Sequence, residues 1–292
     1  MSPQSLTRPV SGKSRSRAVQ RRVMDHLATG MSWCATFIVV FVLGSILWTL
    51  IKNGLPGLSL TLFTHSMGAP GAGGGLANAI VGSLLQTGLA ILLGAPAGLL
   101  TGIYLAEYGA DSALARTVRF VSDMLLSAPS ILIGLFIYMV LVAPLGHFSG
   151  YAGSVALAIL AMPIMVRTTE DMLRLVPVAM REAGIALGAP KWRVTLFICV
   201  RAARGGIMTG VLLAIARVAG ETAPLLFTSL GNSEWSLDMQ RPMASLPVAI
   251  YQYAGSAYQD WMQQAWTGAL LVTMGVLIIN IVVRVGIRGG RT

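Results

Sequence analysis

The chain is poor in charge. Acidic and basic residues make up 11% of its 292 positions, against roughly 25% in soluble domains, which excludes a water-soluble globular protein. Cysteine is scarce too: Cys34 and Cys199 form no metal or redox spacing and read as small apolar fillers. His26, His65 and His147 fall in three different segments, so no ligand cluster and no structural metal are expected. Long polar stretches are missing as well, and none is large enough to fold as a nucleotide-hydrolysing domain. Gly12-Lys13-Ser14 imitates the end of a phosphate-binding loop, but Thr7 stands where its first glycine belongs and no strand precedes it. Any ATP that powers this protein is therefore expected on another polypeptide, and no cofactor on this one.

What remains is apolar sequence. Hydrophobic residues make up 55% of the chain and the mean hydropathy is +0.72. About 20 apolar residues suffice to cross the hydrocarbon. Six segments qualify, near residues 33–51, 79–105, 122–144, 151–168, 205–230 and 262–283. The expected fold class is an all-α polytopic bundle of six helices. The first span is too long for a cleaved signal peptide and no A-x-A site follows it promptly, so it reads as a retained anchor.

The net charge of +10 invites a nucleic-acid reading, but its distribution argues otherwise. With alternating spans, every one of the 21 basic residues except Lys52, Arg217 and Arg241 falls on one side. This is the positive-inside pattern, which places both termini in the cytoplasm. The domain reading is a basic tail over 1–30, irregular in its first part; a membrane domain over 31–287 with a cytoplasmic loop at 174–203; and a cytoplasmic end over 288–292.

The outer segments carry weaker signals. Gly68-Ala-Pro-Gly-Ala-Gly-Gly-Gly75 cannot hold regular structure. Pro144 to Gly150 makes a tight hairpin. The segment 231–261, with Glu234, Trp235, Asp238, Arg241 and Trp261, reads either as an interfacial aromatic belt or as a docking surface for an extracytoplasmic partner.

Two stretches carry chemistry. The first is the loop 174–203, a helix–turn–helix: Pro177 suits a first helical turn, Gly188 and Pro190 stop the helix, and a short second helix follows from Lys191 to Phe197. Small residues beside Glu182 would let this segment seat in a cleft of another protein. Spacing alone fits an amphipathic helix on the lipid surface equally well. The second is Arg217 and Glu221 within the fifth span. An arginine at that depth costs about 2.5–3.5 kcal/mol, so something must offset it. On a continuous helix Gly206, Gly210, Ala214, Arg217, Glu221, Pro224 and Thr228 share one stripe, opposite Met208, Leu212, Ile215, Ala219, Leu226 and Leu230. The small residues would admit a neighbouring helix. The pair is either an internal packing contact or an anion step, with the guanidinium as a fork for oxyanions and the carboxylate as its competitor. Arg167 and Glu170 repeat the theme at the end of the fourth span, where a snorkelling arginine is the plain alternative.

Glu182-Ala183-Gly184-x3-Gly188, with Ile198 ten residues on, resembles the EAA loop of ABC importer permeases, although the usual Ile-x-Leu-Pro ending reads Ile198-Cys199-Val200-Arg201. Leu213 to Thr228, Arg167-Thr-Thr-Glu-Asp-Met172, Gly188-Ala-Pro-Lys-Trp192 and Gly206-Ile-Met-Thr-Gly210 narrow the likeness to the PstA-type permeases of ABC phosphate importers, over about residues 76–285. The resemblance implies a MetI-like, six-span, non-catalytic subunit in a bacterial inner membrane. Its implied partners are a PstC-type permease, a PstB-type ATPase dimer carrying ATP and Mg, a PstS-type binding protein, phosphate and lipid, with no nucleic acid. It also implies that Arg217, Glu221, Arg167 and Glu170 line the phosphate path. Glu182, Ala183, Gly184 and Gly188 would belong to a coupling helix gripped by the ATPase. The residues themselves leave sulfate, molybdate, a self-sufficient secondary transporter and a scaffolding subunit as rivals.

Overall fold

The computed structural model describes residues 12–109 and 112–289. Contacts divide the chain into one unit up to Lys52 and a second from Asn53 onward. The helices are α1 (Gly12–Gly54), α2 (Leu60–Thr64), α3 (Ala77–Ile103), α4 (Ala113–Ser127), α5 (Ser130–Ile137), α6 (Ala143–Leu145) and α7 (Gly150–Arg174). They continue with α8 (Val178–Ala186), α9 (Lys191–Arg193), α10 (Val200–Ala219), α11 (Ala223–Thr228), α12 (Leu246–Ala254) and α13 (Gln259–Gly289). No strand occurs among the described residues. Five helical segments are long and apolar enough to cross a membrane, and the bent pair Ala113–Ser127 and Ser130–Leu145 makes a sixth.

The first span starts far earlier than its apolar core. α1 already runs from Gly12, where an irregular tail was expected, and its 43 residues extend about 65 Å. The rest of that expected tail, residues 1–11, lies outside the described residues, as does most of the expected cytoplasmic end at 288–292.

The third span is not one helix over 122–144. It bends by 107° between α4 and α5, because Pro129 pushes Ala128 out of the helical region, to ψ 137°. The fourth span continues past 168 to Arg174 as α7. The fifth departs most from expectation. Lys191 to Ala219 is continuously helical through α9, a π-helical turn at Val194–Cys199 and α10, so no separate helix closes at Phe197. The arginines at 193, 201 and 204 interrupt hydropathy, not helix, and Arg201 stands where the EAA ending would place a proline. The same helix then stops at Ala219 instead of reaching 230. Pro224 explains the stop, since it offers no N–H to the carbonyl of Gly220 and its ring crowds that carbonyl.

α7 is the most buried of the long helices. Its apolar residues Leu157, Ala158, Leu160, Ala161 and Met165 form one core with Ala90, Ile133, Ala214, Val218 and Leu225. Lipid tails are as apolar as these side chains, so association rests on close packing rather than on leaving water. Glycine provides it along α3. A Cβ on Gly98 would lie 2.8 Å from Met165 Cβ, and one on Gly102 would lie 2.6 Å from Thr169 Cβ. Gly94 approaches the backbone of Ala158 in the same way. The i, i+4 spacing of these glycines makes a smooth strip on which α7 lies. Gly206 and Gly210 serve α10 likewise against Met172 and Thr168 of α7, so the helix that the small residues of the fifth span were expected to admit is α7.

At the end opposite the basic loop, Asn78 donates to the carbonyls of Asn232 and Ser233 at 2.8 and 3.0 Å. Trp261 stacks on buried Tyr253 at 4.5 Å between centroids and donates to the Gly68 carbonyl. Trp261 therefore holds loops together, while Trp235, Leu237 and Tyr258 stay exposed.

Candidate functional site

Arg217 occupies the last turn of α10, and Glu221 lies just beyond the break. Nη1 of Arg217 is 3.1 Å from Oε1 of Glu221. The two differ sharply in exposure, with side chains 53% and 10% accessible. The carboxylate is thus anchored in the protein and the guanidinium projects from it, its other N–H donors unclaimed by any acidic side chain among the described residues. The chain turns at Gly220, so the two groups meet around a bend and not along a continuous helical stripe. The expected opposite face does not hold together either: Leu212 is buried, whereas Leu213, near Arg217, is exposed.

Arg167 and Glu170 are not brought together. Arg167 reaches Asp123 at 3.3 Å and Asp171 at 3.5 Å, all three half exposed. Glu170 is buried and accepts from Arg119 Nε at 2.7 Å and Arg174 Nη2 at 2.6 Å. Arg119 also donates to the Leu105 carbonyl at 3.1 Å, tying α4 to both α3 and α7. Three arginines thus face three carboxylates, with short contacts at Glu170 and long ones at Arg167. Glu170 is a packing centre, and Arg167 is the more easily released cation. The i, i+4 spacings 167/171 and 170/174 were readable in advance; Arg119 and Asp123 were not, because only the bend at Pro129 lays α4 across α7.

The handle is a short helix between two turns. α8 follows Pro177 and ends where Gly188 takes φ +79°, with its N–H on the Ile185 carbonyl at 2.8 Å. Gly184 is buried, and a Cβ there would lie 2.7 Å from Ile198 Cδ1 and 3.0 Å from Val194 Cγ2. The glycine of the motif therefore seats α8 against the π-helical turn that opens the fifth span. Glu182 and Ala183 point outward. Around them Leu175, Val178, Ile185 and Leu187 are exposed.

Arg181 carries the contacts that spacing did not reveal. Nη2 meets Glu107 Oε1 at 2.8 Å and the Leu173 carbonyl at 2.7 Å. Nε reaches both carboxylate oxygens at 3.2 and 3.3 Å, and Nη1 donates to the Val176 carbonyl. Hydrogen bonding to Glu107 raises the arginine's pKa above its ordinary value and keeps it charged. Glu107 lies in the π-helical turn Tyr104–Tyr108 that ends α3, and Lys191 sits 4.8 Å over the Tyr108 ring beside it. An acidic residue at the end of an apolar span was the available signal.

Residues 94–288 match the family of binding-protein-dependent transport system inner membrane components. The phosphate transport system permease protein PstA of Pasteurella multocida is 53% identical over 265 residues, covering 91% of this chain and 95% of its own. Its counterpart in Haemophilus influenzae is 53% identical over 264 residues, covering 90% and 94%. PstA 1 of Mycobacterium tuberculosis is 36% identical over 288 residues, covering 96% and 93%. Among solved structures, an inward-facing form of the MetNI methionine ABC transporter superposes with a TM-score of 0.57 at 19% identity, over 73% of this chain and 92% of that one. At that identity the likeness bears on the fold alone.

Proposed function

The chain belongs to the PstA family of phosphate transport permeases, and from that premise we propose that Arg217 is the anion step of its translocation path and α8 its coupling helix. It is a multi-pass membrane permease of an ABC phosphate importer. Phosphate carries between one and two negative charges at neutral pH. Each charge moved inward against the membrane potential costs about 2.3 kcal/mol per 100 mV. This chain offers no means of doing that work, which falls to a PstB-type ATPase dimer holding ATP and Mg. A PstC-type permease completes the path, a PstS-type protein delivers phosphate, and the assembly sits in a bacterial inner membrane.

One observation carries the reading: a half-exposed guanidinium held by a single buried carboxylate. An oxyanion can take the free N–H donors in a bidentate grip, while Glu221 weakens that grip enough for release. Arg167, loosely held at the basic end, serves as a second station, with Glu170 fixing the helices around it. Glu182 and Ala183, with the apolar rim around them, form the face the ATPase grips, and Gly184 and Gly188 shape it. The test is Arg217→Gln in the assembled transporter. Phosphate uptake should vanish while the ATPase still co-purifies. Normal uptake would remove Arg217 from the path.

A further inference from the structure

Arg181 and Glu107 lie outside the exposed rim of α8 and away from Arg217. They are 74 residues apart in sequence, so no short stretch of chain links the handle to α3. Both covalent connections of α8 are turns, through Pro177 on one side and Gly188 on the other. Such joints transmit a push poorly. The seat of Gly184 on Val194 and Ile198 is apolar and non-directional and resists tilting little. Arg181 supplies what these contacts lack. It bonds both oxygens of a carboxylate that is 7% exposed, together with the carbonyls of Leu173 and Val176 just where α7 ends.

We propose that the Arg181–Glu107 clamp is the linkage that carries motion of α8 into the membrane, delivering it to α3 and α7 as one body. The inference rests on the transport reading above. α3 and α7 are suited to move together because they pack closely along their length, with Gly94, Gly98 and Gly102 of α3 against Ala158, Met165 and Thr169 of α7. Arg181 is a positioning residue: its planar fork makes five hydrogen bonds from three separate nitrogens, a spread that the single ammonium of a lysine does not match.

The experiment uses the full transporter in proteoliposomes, with spin labels at Ala179 on α8 and Leu100 on α3 in a Cys34→Ser background that keeps the buried Cys199 beside the clamp. In the unmutated clamp the interlabel distance should stay the same between nucleotide-free and ATP-trapped states. In Glu107→Gln it should change between those states. ATP hydrolysis should continue there, and phosphate moved per ATP should fall about tenfold, as expected for loss of a charge-assisted contact. Arg181→Lys should lie between the two. An unchanged phosphate-to-ATP ratio in Glu107→Gln would overturn the proposal. So would a distance that shifts during the cycle with the clamp intact, and this measurement decides the matter even where a variant fails to assemble. Failure of the unmutated proteoliposomes to take up phosphate on ATP addition would instead overturn the transport reading and leave the distance result standing.

Discussion

Glycine-to-alanine changes on α3 should move stability in opposite directions within one helix. Gly102→Ala places a Cβ 2.6 Å from Thr169 Cβ and 2.8 Å from the Val166 carbonyl, whereas carbon atoms rest at about 3.5–4.0 Å. One contact is with a Cβ and the other with backbone, so no rotamer change relieves them. The helices must part by about 1 Å, and overpacking of this kind costs about 1–3 kcal/mol. Gly88→Ala meets nothing within 4 Å and gains only the helix propensity of alanine, about 1 kcal/mol. Both variants receive that gain, so the difference between them isolates the packing cost. At about 2–4 °C per kcal/mol the two melting temperatures should differ by several degrees. Cys199 is buried and becomes a reporter once exposed Cys34 is replaced by serine, since a thiol-reactive dye lights up as the bundle opens. Equal melting of the two variants would refute the idea that the glycine strip sets the α3–α7 distance.

Two further expectations concern the site. Glu221→Gln leaves Arg217 without its competitor, so the transporter should half-saturate at a lower phosphate concentration while its maximal uptake rate falls; a rise in the half-saturating concentration would argue against competition. Gly188→Ala forces φ +79° on a residue with a side chain, at about 1–2 kcal/mol. The end of α8 should fray and co-purification of the ATPase should weaken, with the melting temperature of the membrane bundle almost unmoved.

Hydropathy made the helical class and most span positions legible, because it is summed over many residues. Local breaks were harder to read. Pro129 and Pro224 stand in apolar runs, and each redirects the chain without altering hydropathy, so the bend of the third span and the early stop of the fifth went unread. The reverse error left Arg201 in the loop after a helix ending at Phe197, when it rides on the continuous helix of the fifth span. Within the site, Arg217 and Glu221 stood out as charges in an apolar run, and Gly184 and Gly188 as motif glycines. Arg119 and Glu107 did not, because their partners at Glu170 and Arg181 come from distant segments and only the fold introduces them.

The stop at Gly220 has an electrostatic consequence. A helix that ended ten residues later would carry Arg217 in mid-turn, among carbonyls already satisfied by the N–H groups of the following turn. Ending at Ala219 instead puts Arg217 in the last turn, where the final carbonyls lack intrahelical donors and the summed peptide dipoles present their negative pole. That field stabilises a cation by about 0.3–1 kcal/mol at an exposed site and up to about 2 kcal/mol in a sheltered one. Pro224 thus helps hold a positive charge at the end of the fifth span without enlisting a second carboxylate, which would have closed the fork to an incoming anion.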